Sequence, residues 1–358
     1  LPLDAALREQ MAAFSPRGRI SGLRLSWSGE ADKPSAYAIK ARFDDLGLNA
    51  RGAIPGFTGL DGRIDGHERG GVLELDTRDA HIMLPAVFAE PALALAALEA
   101  KADWKLVDGK VHVDLIRANF RNADATGEAS GRYQGNGAEP GTIDLSARLT
   151  QAAGGAVWRY LPLVVGQDVR DWLHGAIIGG SATATLRLKG DLKRFPFADG
   201  SGVFEVKGPF KGASLRYAAD WPEFTDISGE LEFVGPRMAI RAHSARLWGV
   251  ALADVRAEIA DLEASETLLT VAGGARGPSA DFLRFIEASP VGGWLNHMTA
   301  DMKATGDGEL KLRLDLPLAH LGQTRVDGRY RVVGNDLAFV EGMPPLREIA
   351  GELRFTGD

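Results

Sequence analysis

The chain has 358 residues, 45% apolar and 25% charged, a globular composition that excludes a disordered tract. Its formal net charge of -7 excludes a general nucleic-acid-binding surface, which needs a basic excess. Cysteine is absent, which removes disulfides, thiolate metal sites and thiol nucleophiles and fits an oxidising bacterial compartment. No run of eighteen apolar residues occurs, and the opening LPLDAALREQ lacks a basic region followed by an apolar core, so neither a membrane-spanning helix nor an export signal is expected within the sequence. The start without Met and the stop at Asp358 on a strand-like run lead us to expect a piece of a longer polypeptide, with any anchor outside it.

In chain order, PALALAALEAKADW is rich in Ala, which favours helix, but Leu93 and Leu95 alternate as in a strand, and strand is the prediction. KVHVDLI places Val111, Val113 and Leu115 on one face, and TIDLSARL does the same with Ile143, Leu145 and Leu149. Between these two, Gly135, Gly137 and Gly141 predict a hairpin turn after Tyr133; the Lys-Ser/Thr of a phosphate loop is missing. VWRYLPLVVGQDVRDWLHGAI then reads as two short helices broken by Pro162 and Gly166. TATLRLKG sets Leu186 and Leu188 against Arg187 and Lys189. A second helical patch, SADFLRFIEASPVGGWLNHM, is broken by Pro290, Gly292 and Gly293. ELKLRLDLPL follows with Leu310, Leu312, Leu314 and Leu316 opposite Lys311, Arg313 and Asp315. Strict period two over five to eight residues means strands with one apolar and one polar face. Forty-four glycines suit the turns and bulges of an antiparallel meander.

These elements recur. PEFTDISGELEFVG begins at Pro222 and PPLREIAGELRFTG at Pro344, 122 residues later. The same offset, without a gap, sets Trp172-Leu173 on Trp294-Leu295, Ala182-Thr183 on Ala304-Thr305, and Gly212 on Gly334. A register held from Leu161 to Gly235 is a duplication. PGFTGLDGRI, from Pro55, is a weaker third copy. In each copy Pro stops one strand, and the Gly seven residues on is expected to supply an unusual dihedral or a bulge in the next. The predicted organisation is an N-terminal β region over residues 1–155, a repeat module over 156–277, and a second copy over 278–358 cut short at its C-terminus.

Motifs with chemistry are missing. The seven histidines stand singly, without HxH or HExxH spacing, so no metal and no cofactor is predicted. Asp44-Asp45 and Asp168 with Asp171 are the nearest carboxylate pairs, and the second is replaced by Pro290 and Gly293 in the other copy, so loop or cap roles are expected. No catalytic residue is assigned and the chain is not expected to be an enzyme. Trp172 and Trp294, at equivalent points, read as packing residues of the module.

Tyr160 to Gly235 carries a combination of tokens: YLP, a WL followed by Ala-Ile, LKGDL, FPF, G-x-F, LxYAxxWP and I-x-G-x-L-x-F-x-G. This combination resembles the YhdP family of AsmA-like envelope proteins of Gram-negative bacteria; the rest of the chain resembles it more loosely. The resemblance implies a periplasmic protein anchored in the inner membrane by a helix outside this segment. It implies a mostly β fold: an elongated, curved antiparallel β-sheet groove built from repeats, with short helices inserted once per repeat. It also implies carriage of phospholipid between inner and outer membranes. The groove would hold acyl chains against Leu186, Leu188, Phe204, Val206, Leu231, Phe233, Leu310, Leu312 and Leu314. Membrane contact would come from parts outside the segment, envelope proteins are further candidate partners, and no nucleic acid is expected.

Alternation by itself leaves other arrangements open, because one-faced strands also build β-sandwiches whose apolar faces close on each other. A non-catalytic scaffold for outer-membrane assembly, acting through protein contacts at sheet edges, is the alternative function. A carbohydrate-active β enzyme is a third.

Overall fold

The computed structural model describes residues 14–30, 33–52, 54–137, 139–340 and 342–357, so the opening LPLDAALREQ lies outside the described residues. The fold is mostly β and antiparallel, with twenty strands and a few short helices among the described residues. Two compact units are formed, within Leu1–Arg170 with Thr183–Glu205 and within Asp171–Ala182 with Val206–Asp358.

In the first unit, β1 (Arg17–Glu30), β2 (Lys33–Leu48), β3 (Gly56–His67) and β4 (Gly70–Thr77) form successive hairpins. A small flap, β5 (Ala80–Met83) and β6 (Ala92–Leu95), pairs with the first residues of β3. The main ladder continues from β4 to β7 (Ala97–Val107), β8 (Lys110–Arg121), β9 (Ala125–Asn136) and β10 (Glu139–Ala153). The Ala-rich stretch from Pro91 is thus strand, as its alternation predicts: the small Ala methyl fits either face of a pleat, and Leu93, Leu95 and Leu98 gain burial from it. The turn after Tyr133 sits at Gly137, with φ +68°.

Next come α1 (Gln167–Ala176), β11 (Ile177–Asp191) and β12 (Val203–Leu215), which contribute to both units. The second unit then runs through β13 (Phe224–Val234), β14 (Arg237–Leu247), β15 (Val250–Ile259) and β16 (Leu268–Pro278). Two helices, α2 (Ser279–Glu287) and α3 (Pro290–Trp294), interrupt the ladder at the predicted second patch. After the two-residue β17 (Lys303–Ala304), β18 (Asp307–Pro317) pairs back onto β16, followed by β19 (Arg325–Ala338) and β20 (Leu346–Gly357). The first patch likewise holds two pieces, a 3-10 turn over Gly154–Tyr160 and α1, split where Pro162 and Gly166 withhold a donor or a side chain.

All three motif copies enter a strand through the same irregularity. The residue four places after the Pro is left-handed in each: Gly59 at φ +73°, Asp226 at +52° and Glu348 at +50°. On the preceding strand, fourteen residues earlier, stands a second one: Asp45 at +54°, Gly212 at +64° and Gly334 at +74°. The amide of Asp45 donates to Asp61 Oδ1 at 2.8 Å, and that of Gly212 donates to Ser228 Oγ, the matching position, at 3.3 Å. The left-handed residue therefore lies three residues before the motif Gly, although the register shifts reach the motif Gly, as between Ser228 and Gly229. Gly62 and Gly229 instead keep the neighbouring strand close, since a Cβ there would strike the carbonyl oxygens of Glu74 and Arg241. The shared bulge pair gives the third copy a structural counterpart as well as a sequence one.

Candidate functional site

Ladder register turns the alternation of single strands into continuous surfaces. In the second unit, Leu231, Ile240, Ala257, Val271, Leu314 and Val326 stand directly opposite one another from β13 to β19. A parallel row runs Phe233, Met238, Ile259, Leu269 and Leu316. Another runs Ala245, Leu252, Ala275, Leu310, Tyr330 and Leu353. Between them, Leu312 sits beside Gly273 and Gly328; the absent side chains make room for Val255 and for the Phe355 ring to lie across the sheet.

The first unit is built alike. Ala41, Ile64, Leu73, Ala102 and Leu115 form one row, and Trp104, Val113, Tyr133 and Ile143 another. The reverse faces are charged. Lys40 pairs with Asp65 at 2.7 Å, Lys101 with Glu74 at 3.1 Å, and Arg187 with Asp144 at 2.5 Å. In the second unit Lys207 and Arg237 both reach Glu232, at 3.1 and 3.3 Å, and Arg354 reaches Glu352 at 2.6 Å. Hydrogen bonds from these cations, Lys101 first for Glu74, Arg187 for Asp144, Lys207 for Glu232 and Arg354 for Glu352, hold the four carboxyls below the usual range.

Each predicted site residue can now be placed. Leu231 and Phe233, and Leu310, Leu312 and Leu314, share the apolar face of the second unit. Arg187 and Lys189 bond Asp144 on the charged side of the first unit, so Leu186 and Leu188 project to the other side. Lys207 bonds Glu232, which puts Val206 on the face away from it; Phe204 packs edge-on against Phe195, ring centroids 4.8 Å apart. All nine are half-buried and none is sealed in a core. Sequence reasoning missed the partners that complete the rows, among them Ala257, Val271, Val326, Tyr330 and Phe355. Their alternation is diluted by Ala and Gly, and only the pairing register shows that these small residues continue the face.

The apolar face of the second unit is bounded at one strand end by the helical patch. Ser279 Oγ accepts hydrogen bonds from Tyr330 Oη at 2.7 Å and Asn335 Nδ2 at 2.6 Å, pinning the start of α2 to β19. The Phe282 ring meets Tyr330 edge-on at 5.1 Å, and burial pushes the Tyr330 phenol up. Trp221 touches Phe285 at 5.8 Å, Trp294 at 6.0 Å and Tyr217 at 5.4 Å. The indole N–H of Trp172 donates to the Tyr217 carbonyl at 2.9 Å, and burial pushes the Tyr217 phenol up. Beside this cluster an open cavity of about 700 Å³ is lined by Asp220, Trp221, Trp248, Glu287, Ser289 and His297. Glu287 accepts from Thr299 Oγ1 and faces His297 Nδ1 at 2.8 Å, which together hold its carboxyl below the usual range. Among the described residues, no three His, Cys, Asp or Glu side chains gather at metal-binding geometry, and no helix is long and apolar enough to cross a membrane.

The intermembrane phospholipid transporter YhdP of Escherichia coli (strain K12) is 27% identical over 322 residues, covering 88% of this chain and 25% of that protein. The chain thus spans about a quarter of the length of this relative. No solved structure matches. The family described as YhdP protein matches residues 1–358 from end to end, and the chain belongs to that family.

Proposed function

We propose that this chain is a segment of a bridge-like protein that carries phospholipids between the inner and outer membranes of a Gram-negative envelope, with their acyl chains lying on the apolar face. The observation that carries this reading is the run of apolar rows from strand to strand, most of their members half-buried, backed by a charged face. Each methylene kept from water is worth about 0.8 kcal/mol, so a tail needs unbroken apolar contact wherever it rests. A sandwich would have sealed these leucines against a second layer; here they keep accessible surface. The charged side, held by ion pairs, keeps the protein in water. Transfer of an intact lipid makes and breaks no bond, and the chain acts without catalytic residues or cofactor.

On this reading Leu186, Leu188, Phe204, Val206, Leu231, Phe233, Leu310, Leu312 and Leu314 touch lipid, and the region 1–155 and the modules 156–277 and 278–358 each carry an apolar face for it. The protein works in the periplasm, and segments outside this chain anchor it in the inner membrane and meet the outer one. The relative supports the cargo, since its name gives phospholipid transport between membranes. The test is pickup of fluorescent phospholipid from vesicles. Leu312→Glu and Val271→Glu, each burying a charge among tails, are expected to cut pickup about tenfold, while Lys311→Glu leaves it intact. Unchanged pickup by folded Leu312→Glu would overturn the proposal.

A further inference from the structure

A lipid whose tails lie on the apolar face must leave its headgroup at an edge of that face, in contact with water. The cavity at the helical-patch end offers such a place, and its lining is aromatic and charged. Trp221 and Trp248 line it together with Asp220, Glu287 and His297, the last 2.8 Å from Glu287. Arg284 stacks on Trp248, its guanidinium carbon 4.0 Å from the ring centroid. Stacking uses the face of the planar guanidinium and leaves its in-plane N–H donors for an anion. Trp248 is held at φ +52°, a left-handed conformation that costs a bulky residue energy, at the tip between β14 and β15. The amide of the next residue, Gly249, donates to Asp281 Oδ2 at 3.1 Å, so α2 holds the strained tip where Arg284 and the ring meet. Indole faces and carboxylates together favour an ammonium group, and the adjacent guanidinium favours a phosphate.

We propose that this cavity receives the zwitterionic headgroup of a phospholipid bearing a primary ammonium, with the phosphate at Arg284 and the ammonium between Trp221, Asp220 and Glu287. The assignment rests on the proposed function, because it needs the tails on the apolar face. It extends that function by giving the lane a headgroup preference, which an apolar surface alone does not have. An anionic headgroup without an amine would keep the Arg284 contact but bring its remaining polar groups toward the Asp220 carboxylate, while Glu287 stays engaged by Thr299 and His297.

Native mass spectrometry separates the two ideas. The full chain is incubated with an equimolar mixture of phosphatidylethanolamine and phosphatidylglycerol of one acyl composition. Total bound lipid reports on the apolar face, and the ratio of the two reports on the cavity. The wild type is expected to favour the amine lipid about threefold, and the exposed-site variant Asp220→Asn and the variant Glu287→Gln to lose that preference through weaker capture of the amine lipid, with phosphatidylglycerol binding retained. Because Glu287 also holds Thr299, Asp220→Asn is the decisive variant should Glu287→Gln unfold. Bound lipid with no preference in the wild type, or a preference untouched in folded Asp220→Asn, overturns the cavity assignment alone. Absence of any bound lipid overturns both ideas. Soluble glycerophosphoethanolamine, the same headgroup without tails, is expected to bind at least about tenfold more weakly, since it forfeits the apolar contact. Equal binding would assign the cavity to a soluble ligand and overturn the lipid reading of it.

Discussion

The two units bound their apolar faces in different ways. In the first, the flap of β5 and β6 folds against β3 and closes a true core, where Phe43, Leu60, Ala80, Leu95 and Leu98 are all buried. In the second, the matching strand end carries helices and aromatic rings, and Trp294 remains 71% exposed. The same ladder plan therefore supports a sealed end and an open one. What distinguishes them is the inserted piece: a short hairpin can continue the pairing and lay apolar side chains flat on the sheet. A helix two turns long touches the sheet along one stripe and leaves its other side to solvent.

The largest test of that contrast is truncation. Phe43→Ala is expected to destabilise the first unit by about 3–5 kcal/mol, because the sealed core cannot collapse onto the void. Trp294→Ala, with most of its ring already in water, should cost less than about 1 kcal/mol. Equal shifts in urea unfolding would erase the distinction between the two ends. A smaller effect is expected at the pin of the open end. Asn335→Ala removes one of two donors to Ser279 and should cost about 1–2 kcal/mol, read as faster hydrogen exchange across α2 with β18 unchanged. Global unfolding of the ladder instead would show that α2 is part of the core and not a cover.

The bulges permit a finer comparison between copies. Gly59→Ala places a Cβ at φ +73° and 3.1 Å from the Asp79 carbonyl oxygen, and should destabilise by about 1–2 kcal/mol. Glu348→Gly, at the equivalent point, relieves a left-handed residue and should be neutral or stabilising by up to about 1 kcal/mol. Thermal melts of the two variants moving in the same direction would mean the bulge pair is not shared between copies. The smallest effect concerns acid. Glu74, Asp144, Glu232 and Glu352 have carboxyls held below their ordinary range when folded. Their contribution is therefore present above the unfolded carboxylate pKa and is lost as pH falls through the depressed folded values. Because the pairs are exposed, a shallow decline in stability below about pH 4, weakened further by salt, is expected. A decline beginning near neutral pH would point to other groups.

Much of the fold was legible in the chain. Alternation located strands such as β8 and β18, Pro and Gly split each helical patch in two, and the 122-residue offset marked the repeat. Local patterns carry this information because they arise from local geometry. Two things were not legible. The flap of β5 and β6 depends on the first residues of β3 pairing with β5 instead of β4, a choice made by tertiary packing around Leu60 and Leu98. The left-handed residue was misplaced by three positions, because Gly signals both positive φ and close approach, and Asp226 and Glu348 adopt the left-handed region without advertising it. Period two alone set the leucines of β18 on one face; their candidacy as lipid contacts came with the family resemblance. The cavity beside Trp221 could not, since it joins a loop, a hairpin tip and two helices that are far apart in sequence.

Lipid tails are expected on one face of the sheet and not on the other. Adjacent residues of β18 alternate between those faces, with Leu312 half-buried and Arg313 exposed. A photo-activatable residue at position 312 or at 313, irradiated in the presence of membranes and followed by mass spectrometry, compares the faces within one strand. The account predicts phospholipid adducts at 312 and few or none at 313. Equal lipid labelling at both positions, or adducts only to proteins, would contradict it.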